Sequence, residues 1–166
     1  MSLFTKIVDR CFAVLGALIF MQAPAFIQDY TQVLLGHLSE SSWEVDQLKR
    51  IALKAGKPLD QLIQKYQDNP DIDVALQGDF IQTLVLREEG FRQAYFNLSH
   101  ANPFQKPFVF AKYLQWDIVK ETTSVFTPSV PMTLEALIWG AFGLLVGYSF
   151  FRLLSALFTK SRKLFA

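Results

Sequence analysis

Two long apolar runs stand near the two ends of the chain, and polar residues are frequent in the stretch between them. From Cys11 to Gln28 eighteen residues pass without a charged side chain, and from Ala136 to Phe151 another sixteen do so. An α-helix rises about 1.5 Å per residue, so the first run covers roughly 27 Å, close to the hydrocarbon thickness of a bilayer. The second run continues past Arg152 into "LLSALF", and a snorkelling arginine would extend it to about 20 residues. The pattern predicts two transmembrane helices.

The region between the runs has helical periodicity. Apolar residues spaced by threes, fours and sevens predict a helix over 30–55 (Leu34, Leu38, Val45, Leu48, Ala52, Ala55) and a second one to about residue 99 (Leu76, Phe80, Leu84, Phe91, Tyr95, Leu98). Shorter helices are expected over 58–67 and 107–124. No alternation typical of strands persists.

Punctuating residues indicate where these helices begin and end. Gly56, followed by Lys57-Pro58, predicts the end of the 30–55 helix. Asn69-Pro70-Asp71 predicts the start of the next, with Asn69 as the N-cap. Thr133 is the expected N-cap of the second span.

The predicted fold class is all-α: a hairpin of two transmembrane helices plus an antiparallel helical bundle. We expect residues 1–28 to form the first transmembrane helix, 29–132 the helical domain, and 133–166 the second span with a basic tail.

The triplet Ala23-Pro24-Ala25 has the small-x-small pattern of a signal-peptide cleavage site. Two interpretations follow: cleavage, or a retained membrane helix that is bent at Pro24. The run is longer than a usual signal-peptide core, and the bulky Phe26 and Ile27 come directly after the triplet. We expect the helix to be retained and to continue into the 30–55 helix, because a proline is tolerated in a membrane helix.

Basic residues flank the two runs on their outer sides. Lys6 and Arg10 precede the first; Arg152, Lys160, Arg162 and Lys163 lie at or after the end of the second. Residues 29–132 hold ten basic and thirteen acidic side chains. Because cytoplasmic flanks are enriched in Lys and Arg, both termini are predicted to be cytoplasmic and residues 29–132 periplasmic.

Residues that could carry chemistry are sparse. The net charge is +1 and the basic residues form no stripe, so no nucleic-acid partner is expected. His37 and His100 lie far apart and Cys11 is the single cysteine, so no metal site is predicted. The acids Asp68, Asp71, Asp73 and Asp79 lack the glycine and final glutamate of a calcium loop. Neither Ser41-Ser42 nor Ser99-His100 belongs to a nucleophile elbow. We expect no cofactor and no enzymatic activity.

Small residues form a seam on the second span: Ala136, Gly140, Gly143 and Gly147. Small side chains let two helix backbones approach closely, and in lipid this packing is a main source of helix association. The first span offers Ala13, Gly16, Ala17 and Ala23 as a matching surface. The seam is predicted to pack against another helix, either in the same chain or in a second copy.

The segment 107–119 is rich in aromatic residues and has two interpretations. Tyr113 and Trp116, together with Arg152, would lie in the membrane interface, where Trp and Tyr are favoured. Alternatively Phe108, Ala111, Leu114 and Ile118 form a stripe that faces the bundle. The second interpretation is favoured, because these aromatics can pack inward and also lie along the membrane.

Two segments carry a family resemblance over nearly the whole chain: "MQAPAFIQDYTQVLLGHL" at the end of the first span and "PSVPMTLEALIWGAFGLLVGY" at the start of the second. The layout resembles a bacterial inner-membrane family known only as a domain of unknown function. The resemblance implies an inner-membrane setting and brings no catalytic residues. The leading hypothesis is a non-enzymatic membrane protein whose bundle binds a protein partner or its own copies. The alternative is a lipid or apolar-ligand accessory protein, in which residues 104–126 and the bundle interior form an apolar site next to the bilayer.

Overall fold

The chain is all-helical. A computed structural model describes residues 3–128 and 133–164, with side chains from Ile7 to Pro128 and from Thr133 to Leu153. Within these ranges there is no strand, and six helices follow one another: α1 Leu3–Lys54, α2 Leu59–Gln67, α3 Ile72–His100, α4 Lys106–Tyr113, α5 Trp116–Val125 and α6 Leu134–Leu164. The predicted all-α class is confirmed.

The chain divides into two compact units. One contains the residues up to Asp29 together with those from Thr123 onward, and the other contains Tyr30–Thr122. Helix α1 contributes its first part to one unit and its second part to the other. For brevity the first is called the terminal unit and the second the central unit.

Helix α1 is 52 residues long and passes through Pro24 without interruption. The predicted continuation of the first apolar run into the 30–55 helix is therefore confirmed. The helix ends at Lys54 and is terminated by Gly56, whose φ of 71° is the only positive φ among the described residues. There the N–H of Lys57 donates to the carbonyl of Ala52 (3.1 Å) and that of Gly56 to Leu53 (3.0 Å). This is a Schellman motif, as the Gly-Lys-Pro sequence predicts.

Helix α3 begins two residues later than the sequence pattern predicts. Its N-cap is Asp71, whose side chain accepts a hydrogen bond from the N–H of Asp73 (3.0 Å). Asn69 instead accepts from the N–H of Asp71 (2.9 Å), as in an Asx-turn. The prediction of Asn69 as N-cap is therefore wrong. Thr133 does cap α6, because its hydroxyl accepts from the N–H of Ala136 at 3.1 Å.

The helix predicted over 107–124 is broken. Helix α4 ends at Tyr113 and α5 begins at Trp116, with Leu114 in an extended conformation (ψ 128°). A side chain from α1 satisfies the backbone at this break. The Tyr30 hydroxyl accepts from the N–H of Gln115 (3.0 Å) and donates to the carbonyl of Tyr113 (3.4 Å). The Tyr30 side chain itself is fully buried.

The predicted apolar stripe on α3 is covered only in part. Phe91 and Leu98 are buried as expected, but Leu76 and Phe80 are 59% and 60% exposed. Gly78 is the buried residue in that part of the helix, because its missing Cβ makes room for α2. A methyl group at Gly78 would lie 2.8 Å from Cγ of Gln67 and 3.0 Å from Cβ of Tyr66.

Candidate functional site

The small residues of the terminal unit lie backbone against backbone. A methyl group on Gly143 would lie 2.6 Å from Cβ of Phe20 and 2.9 Å from the carbonyl carbon of Gly16. One on Gly16 would come within 3.1 Å of the Cα of Gly147. These approaches leave no space for a side chain. The structure thus brings Gly16 together with two glycines of the predicted seam.

The remaining glycines of the seam also lie close to residues of α1. A methyl group on Gly147 would lie 3.2 Å from Cα of Ala13, and one on Gly140 would lie 2.9 Å from Sδ of Met21 and 3.8 Å from the carbonyl oxygen of Ala17. Ala136 is 1% exposed. Aromatic pairs flank the seam, with ring centroids 5.6 Å apart for Phe20–Phe142 and 5.7 Å for Phe12–Phe151.

Large apolar side chains of the terminal unit point outward. Exposure exceeds half for several of them on both helices: Val14, Leu15, Ile19, Leu137, Phe142, Leu145 and Phe150. Two helical stretches, Ile7–Lys54 and Leu134–Leu153, are long and apolar enough to cross a membrane, with mean hydropathies of 1.8 and 1.6 in their most apolar windows. Only 11% and 28% of those windows is buried. Small residues inside and large apolar residues outside are the reverse of a water-soluble pattern.

Of the predicted membrane-interface residues, Tyr113 and Trp116 belong to the central unit and Arg152 to the terminal unit. Tyr113 is half-buried at the end of α4, with the Lys112 ammonium 5.2 Å from its ring centroid. Trp116 is 70% exposed at the start of α5. Arg152, in α6, lies over the Tyr148 ring at 5.5 Å. The side chains of Lys6, Lys160, Arg162 and Lys163, on which the predicted orientation also depends, lie outside the described residues.

The favoured interpretation of residues 107–119 as a bundle-facing stripe is wrong for half of its members. Ile118 is buried and Leu114 is half-buried, but Phe108 is 76% exposed and Ala111 is exposed. The helix is broken after Tyr113, where Leu114 is extended, so the four residues do not lie on one continuous helical face. No described residue of α4 is buried.

The central unit has a partly polar interior. Glu88 is only 7% exposed and accepts hydrogen bonds from Ser42 (2.9 Å) and from Arg92. Thr122 is fully buried and donates to the carbonyl of Ile118 (2.7 Å). Burial raises the pKa of the Tyr30 hydroxyl, and the hydrogen bond from the N–H of Gln115 opposes that rise. A buried polar group needs such partners to avoid the cost of losing water.

Sequence reasoning missed a contact between His37 and Glu121. Their Nε2 and Oε2 atoms are 2.6 Å apart, although the residues are separated by 84 positions. The pair is 35% and 52% exposed. His100 is elsewhere, where its Nδ1 is 2.8 Å from the carbonyl of Phe96. The two histidines therefore share no site.

The acids considered for a cation loop serve local structure. Asp71 caps α3, and Asp79 accepts from the side-chain amide of Gln67 at 2.9 Å. Among the described residues no group of three or more His, Cys, Asp or Glu side chains is arranged to hold a metal ion.

One exposed apolar surface lies on the first half of α3 and is formed by Ile72, Leu76 and Phe80, here called the α3 stripe. These side chains are 72%, 59% and 60% exposed. Successive residues of an α-helix are rotated by about 100° around the axis. On this basis the three side chains lie on the same face as the buried Phe91, Ala94 and Leu98 farther along the helix, within a sector about 100° wide. The α3 stripe is therefore the uncovered continuation of a buried seam.

A groove of about 430 Å³ lies elsewhere in the central unit, between α1, α2 and α3. Its apolar lining comes from Leu48, Ile51, Leu62, Val74 and Ile81, with Tyr66, Asp73 and Gln77 as polar members. It does not include any residue of the 104–126 segment, where sequence reasoning expected an apolar site.

Comparisons with known proteins identify a family without an assigned activity. Neither the curated proteins nor the solved structures include a significant match to this chain. The family described as "Protein of unknown function (DUF2937)" matches residues 4–163, nearly the whole chain. The chain therefore belongs to the DUF2937 family.

Proposed function

We propose that the protein is a bacterial inner-membrane protein with two transmembrane helices that form an antiparallel hairpin. The seam contacts support this arrangement, because they pair residue 12 with 151, 16 with 147 and 20 with 142. Residue numbers rise along α1 while those of the contacting residues fall along α6, and this is the pattern of two antiparallel helices. The outward-facing apolar side chains and the low burial of both stretches support lipid as the surrounding solvent.

In this proposal both termini are cytoplasmic and residues 29–132 are periplasmic. The support is the excess of basic residues outside the two apolar runs. A Ser99→Cys variant in a Cys11→Ser background tests it, since Ser99 is exposed in the central unit. A membrane-impermeant maleimide should label the introduced thiol in cells whose outer membrane is permeabilised. Labelling only after lysis of the inner membrane would reverse the proposed orientation.

The biochemical role proposed for the periplasmic bundle is non-enzymatic protein–protein interaction or assembly. The α3 stripe carries this proposal, because three large apolar side chains at i, i+4 and i+8 are exposed to water on one helix face. Contiguous exposed apolar surface of this kind is a recognised mark of protein-interaction sites. An amphipathic helix of a partner, or of a second copy, is the element that such a stripe accommodates.

The charges around the stripe indicate the chemistry of the partner. Residues 68–79 contain Asp68, Asp71, Asp73 and Asp79 and no basic residue. An acidic surrounding favours a partner whose apolar residues are flanked by Lys or Arg, and it disfavours anionic lipid.

Site-specific photo-cross-linking in native membranes tests this role. A benzophenone amino acid in place of Leu76 should give a discrete cross-linked band, and mass spectrometry will show whether the partner is a second copy or another protein. The matched control is the same probe at Glu89, which is exposed on the same helix and lies roughly opposite the stripe at about 100° per residue. If Leu76 cross-links no better than Glu89, the proposed interaction surface is wrong.

A loss-of-binding variant completes the test. Phe80→Ser in a chain that carries the Leu76 probe should lower cross-linking about tenfold, a loss of about 1.4 kcal/mol of binding free energy. Because Phe80 is 60% exposed, the variant should unfold at nearly the same denaturant concentration as wild type. Unchanged cross-linking would show that the partner contacts another face.

The groove between α1, α2 and α3 favours a second candidate, an accessory protein for a lipid or another apolar ligand. Its volume of about 430 Å³ and its largely apolar lining suit part of an acyl chain. Native mass spectrometry of the full chain in mild detergent should then show a retained adduct. A Val74→Phe variant, which fills the groove, should lose that adduct; a clean apo mass for wild type would eliminate this candidate.

A further inference from the structure

Three large aromatic side chains around helix α4 and the start of α5 have no covering element in the central unit. Phe104, Phe108 and Trp116 are 67%, 76% and 70% exposed. Two exposed phenylalanines and an exposed tryptophan within thirteen residues are unusual on a surface that faces only water. Tryptophan in particular is favoured where one side of the ring is apolar and the other meets water.

The backbone between α4 and α5 is attached to the end of the first apolar run. Tyr30 follows Gln28, the last residue of that run, by two positions, which is about 3 Å along a helix axis. Its hydroxyl bonds the backbone of both Tyr113 and Gln115, and its ring contacts Phe110 edge-on with centroids 4.9 Å apart. The α4–α5 junction is therefore hydrogen-bonded to a residue that follows the end of the first apolar run by two positions in the sequence.

The charges of this segment are of one sign. Residues 102–116 contain Lys106 and Lys112 and no acidic residue. This is the opposite of the acidic surrounding of the α3 stripe, and it complements the phosphate groups of anionic lipids. Lysine can also extend its ammonium group to the phosphate level while its alkyl chain stays in apolar surroundings.

We propose that residues 104–116, the interfacial segment, lie in the headgroup region of the bilayer. Phe104, Phe108 and Trp116 insert among the upper acyl chains and glycerol groups, and Lys106 and Lys112 bind the phosphates of anionic lipids. The segment thereby attaches the central unit to the membrane surface. The proposal rests on the membrane placement given above, but it is independent of the protein-binding role of the α3 stripe.

Quenching of single tryptophans by brominated phospholipids tests the insertion. The chain has tryptophans at 43, 116 and 139, so three variants of the full chain, each with two Trp→Phe changes, can be reconstituted in vesicles. Trp116 should be quenched strongly. Trp43 is the matched control: it is 63% exposed in the central unit but lies about 22 Å beyond Gln28 along α1, so its quenching should be weak.

Trp139 separates failure of this proposal from failure of the membrane placement. It lies in α6, inside the second apolar stretch. Quenching of Trp139 together with emission from Trp116 no more quenched than from Trp43 would overturn the interfacial segment alone. Absence of quenching for Trp139 would overturn the membrane placement and the segment with it.

A charge variant tests the lipid contact. Lys106→Gln with Lys112→Gln should reduce the quenching of Trp116 about twofold in vesicles that contain brominated phosphatidylglycerol, because two attractive charges are lost. In vesicles of brominated phosphatidylcholine alone the same variant should change little. Lys49→Gln with Lys57→Gln, a double change in the same unit, is the control and should have no effect in either lipid. Equal effects of the two double variants would show that the lysines of the segment do not bind lipid phosphate.

Discussion

Helix α1 contributes to both units, and its two halves differ in the kind of residue at which they make their closest contacts. In the terminal unit the closest backbone approaches of α1 are at small residues, because Gly16 and Ala13 lie directly against the backbone of α6 glycines. In the central unit most of its buried positions are large or polar: Tyr30, Leu34, Val45 and Ser41 are buried, together with the small Ala52. One continuous helix thus carries two different kinds of interface.

The difference follows from the solvent proposed for each half. In water, burial of a large apolar side chain is itself favourable, by about 1.5–3 kcal/mol. In hydrocarbon that gain is absent, because lipid tails are as apolar as leucine, and close backbone packing becomes the main attraction. Large apolar residues then remain on the outside, as they do in the terminal unit.

The largest expected effect comes from a side chain added to the seam. Gly143→Leu must displace Cβ of Phe20 and the backbone of Gly16, so we expect a loss of about 2–3 kcal/mol of unfolding free energy. SDS titration of the full chain in mild-detergent micelles measures this loss. Gly36→Leu in the other half of α1 is the control, because no atom lies within 4 Å of the added Cβ there. Equal tolerance of both substitutions would remove the distinction between the two halves.

Features that depend on local sequence could be predicted. The helical class, the continuity of α1, its end at Gly56 and the cap at Thr133 each follow from spacing or from one residue type. They are determined within a few residues of the chain, where propensity and capping act.

Features that depend on distant partners could not be predicted. The break between α4 and α5 is satisfied by Tyr30, more than 80 positions away, and nothing in residues 107–124 indicates it. The pairing of His37 with Glu121 is equally remote. The apolar stripe of α3 was visible in the sequence, but periodicity shows only that a face is apolar and not which part of it the fold covers. The uncovered part became the candidate interaction surface.

The next largest loss of stability is expected from a change at Tyr30, whose hydroxyl bonds the backbone between α4 and α5 in the central unit. Tyr30→Phe keeps the ring but leaves the N–H of Gln115 without its 3.0 Å acceptor, and a buried unsatisfied group costs about 1–3 kcal/mol. We expect a corresponding decrease in the unfolding midpoint and faster hydrogen exchange at the Gln115 amide. Tyr95→Phe, in α3 of the same unit, is the control. A Gln115 amide that exchanges equally slowly in both variants would contradict the role of the Tyr30 hydroxyl.

Glycines outside the seam distinguish packing from backbone conformation. Gly56→Ala places a Cβ on a residue with φ of 71°, and we expect it to cost about 1 kcal/mol although nothing lies within 4 Å. Gly90→Ala lies within α3, also in open space, and should stabilise the protein by about 0.5–1 kcal/mol because alanine has the higher helix propensity. The SDS midpoints of the two variants should therefore move in opposite directions. A shift in the same direction would show that the left-handed conformation at Gly56 is not needed.

The smallest expected effect is a pH dependence that belongs to the central unit. Burial raises the pKa of Tyr30 above its ordinary value of 10.0, and the Gln115 hydrogen bond reduces the rise. Between the unfolded and the folded pKa the native state holds the proton that the unfolded state has lost, so the free energy of unfolding falls as pH increases through this window. Below about pH 9 the residue is neutral in both states and contributes no slope. Wild type should therefore lose stability relative to Tyr30→Phe as the pH is raised above about 10. Parallel profiles for the two proteins would show that Tyr30 titrates as it does in the unfolded chain, and that the contact at the helix break is open to water.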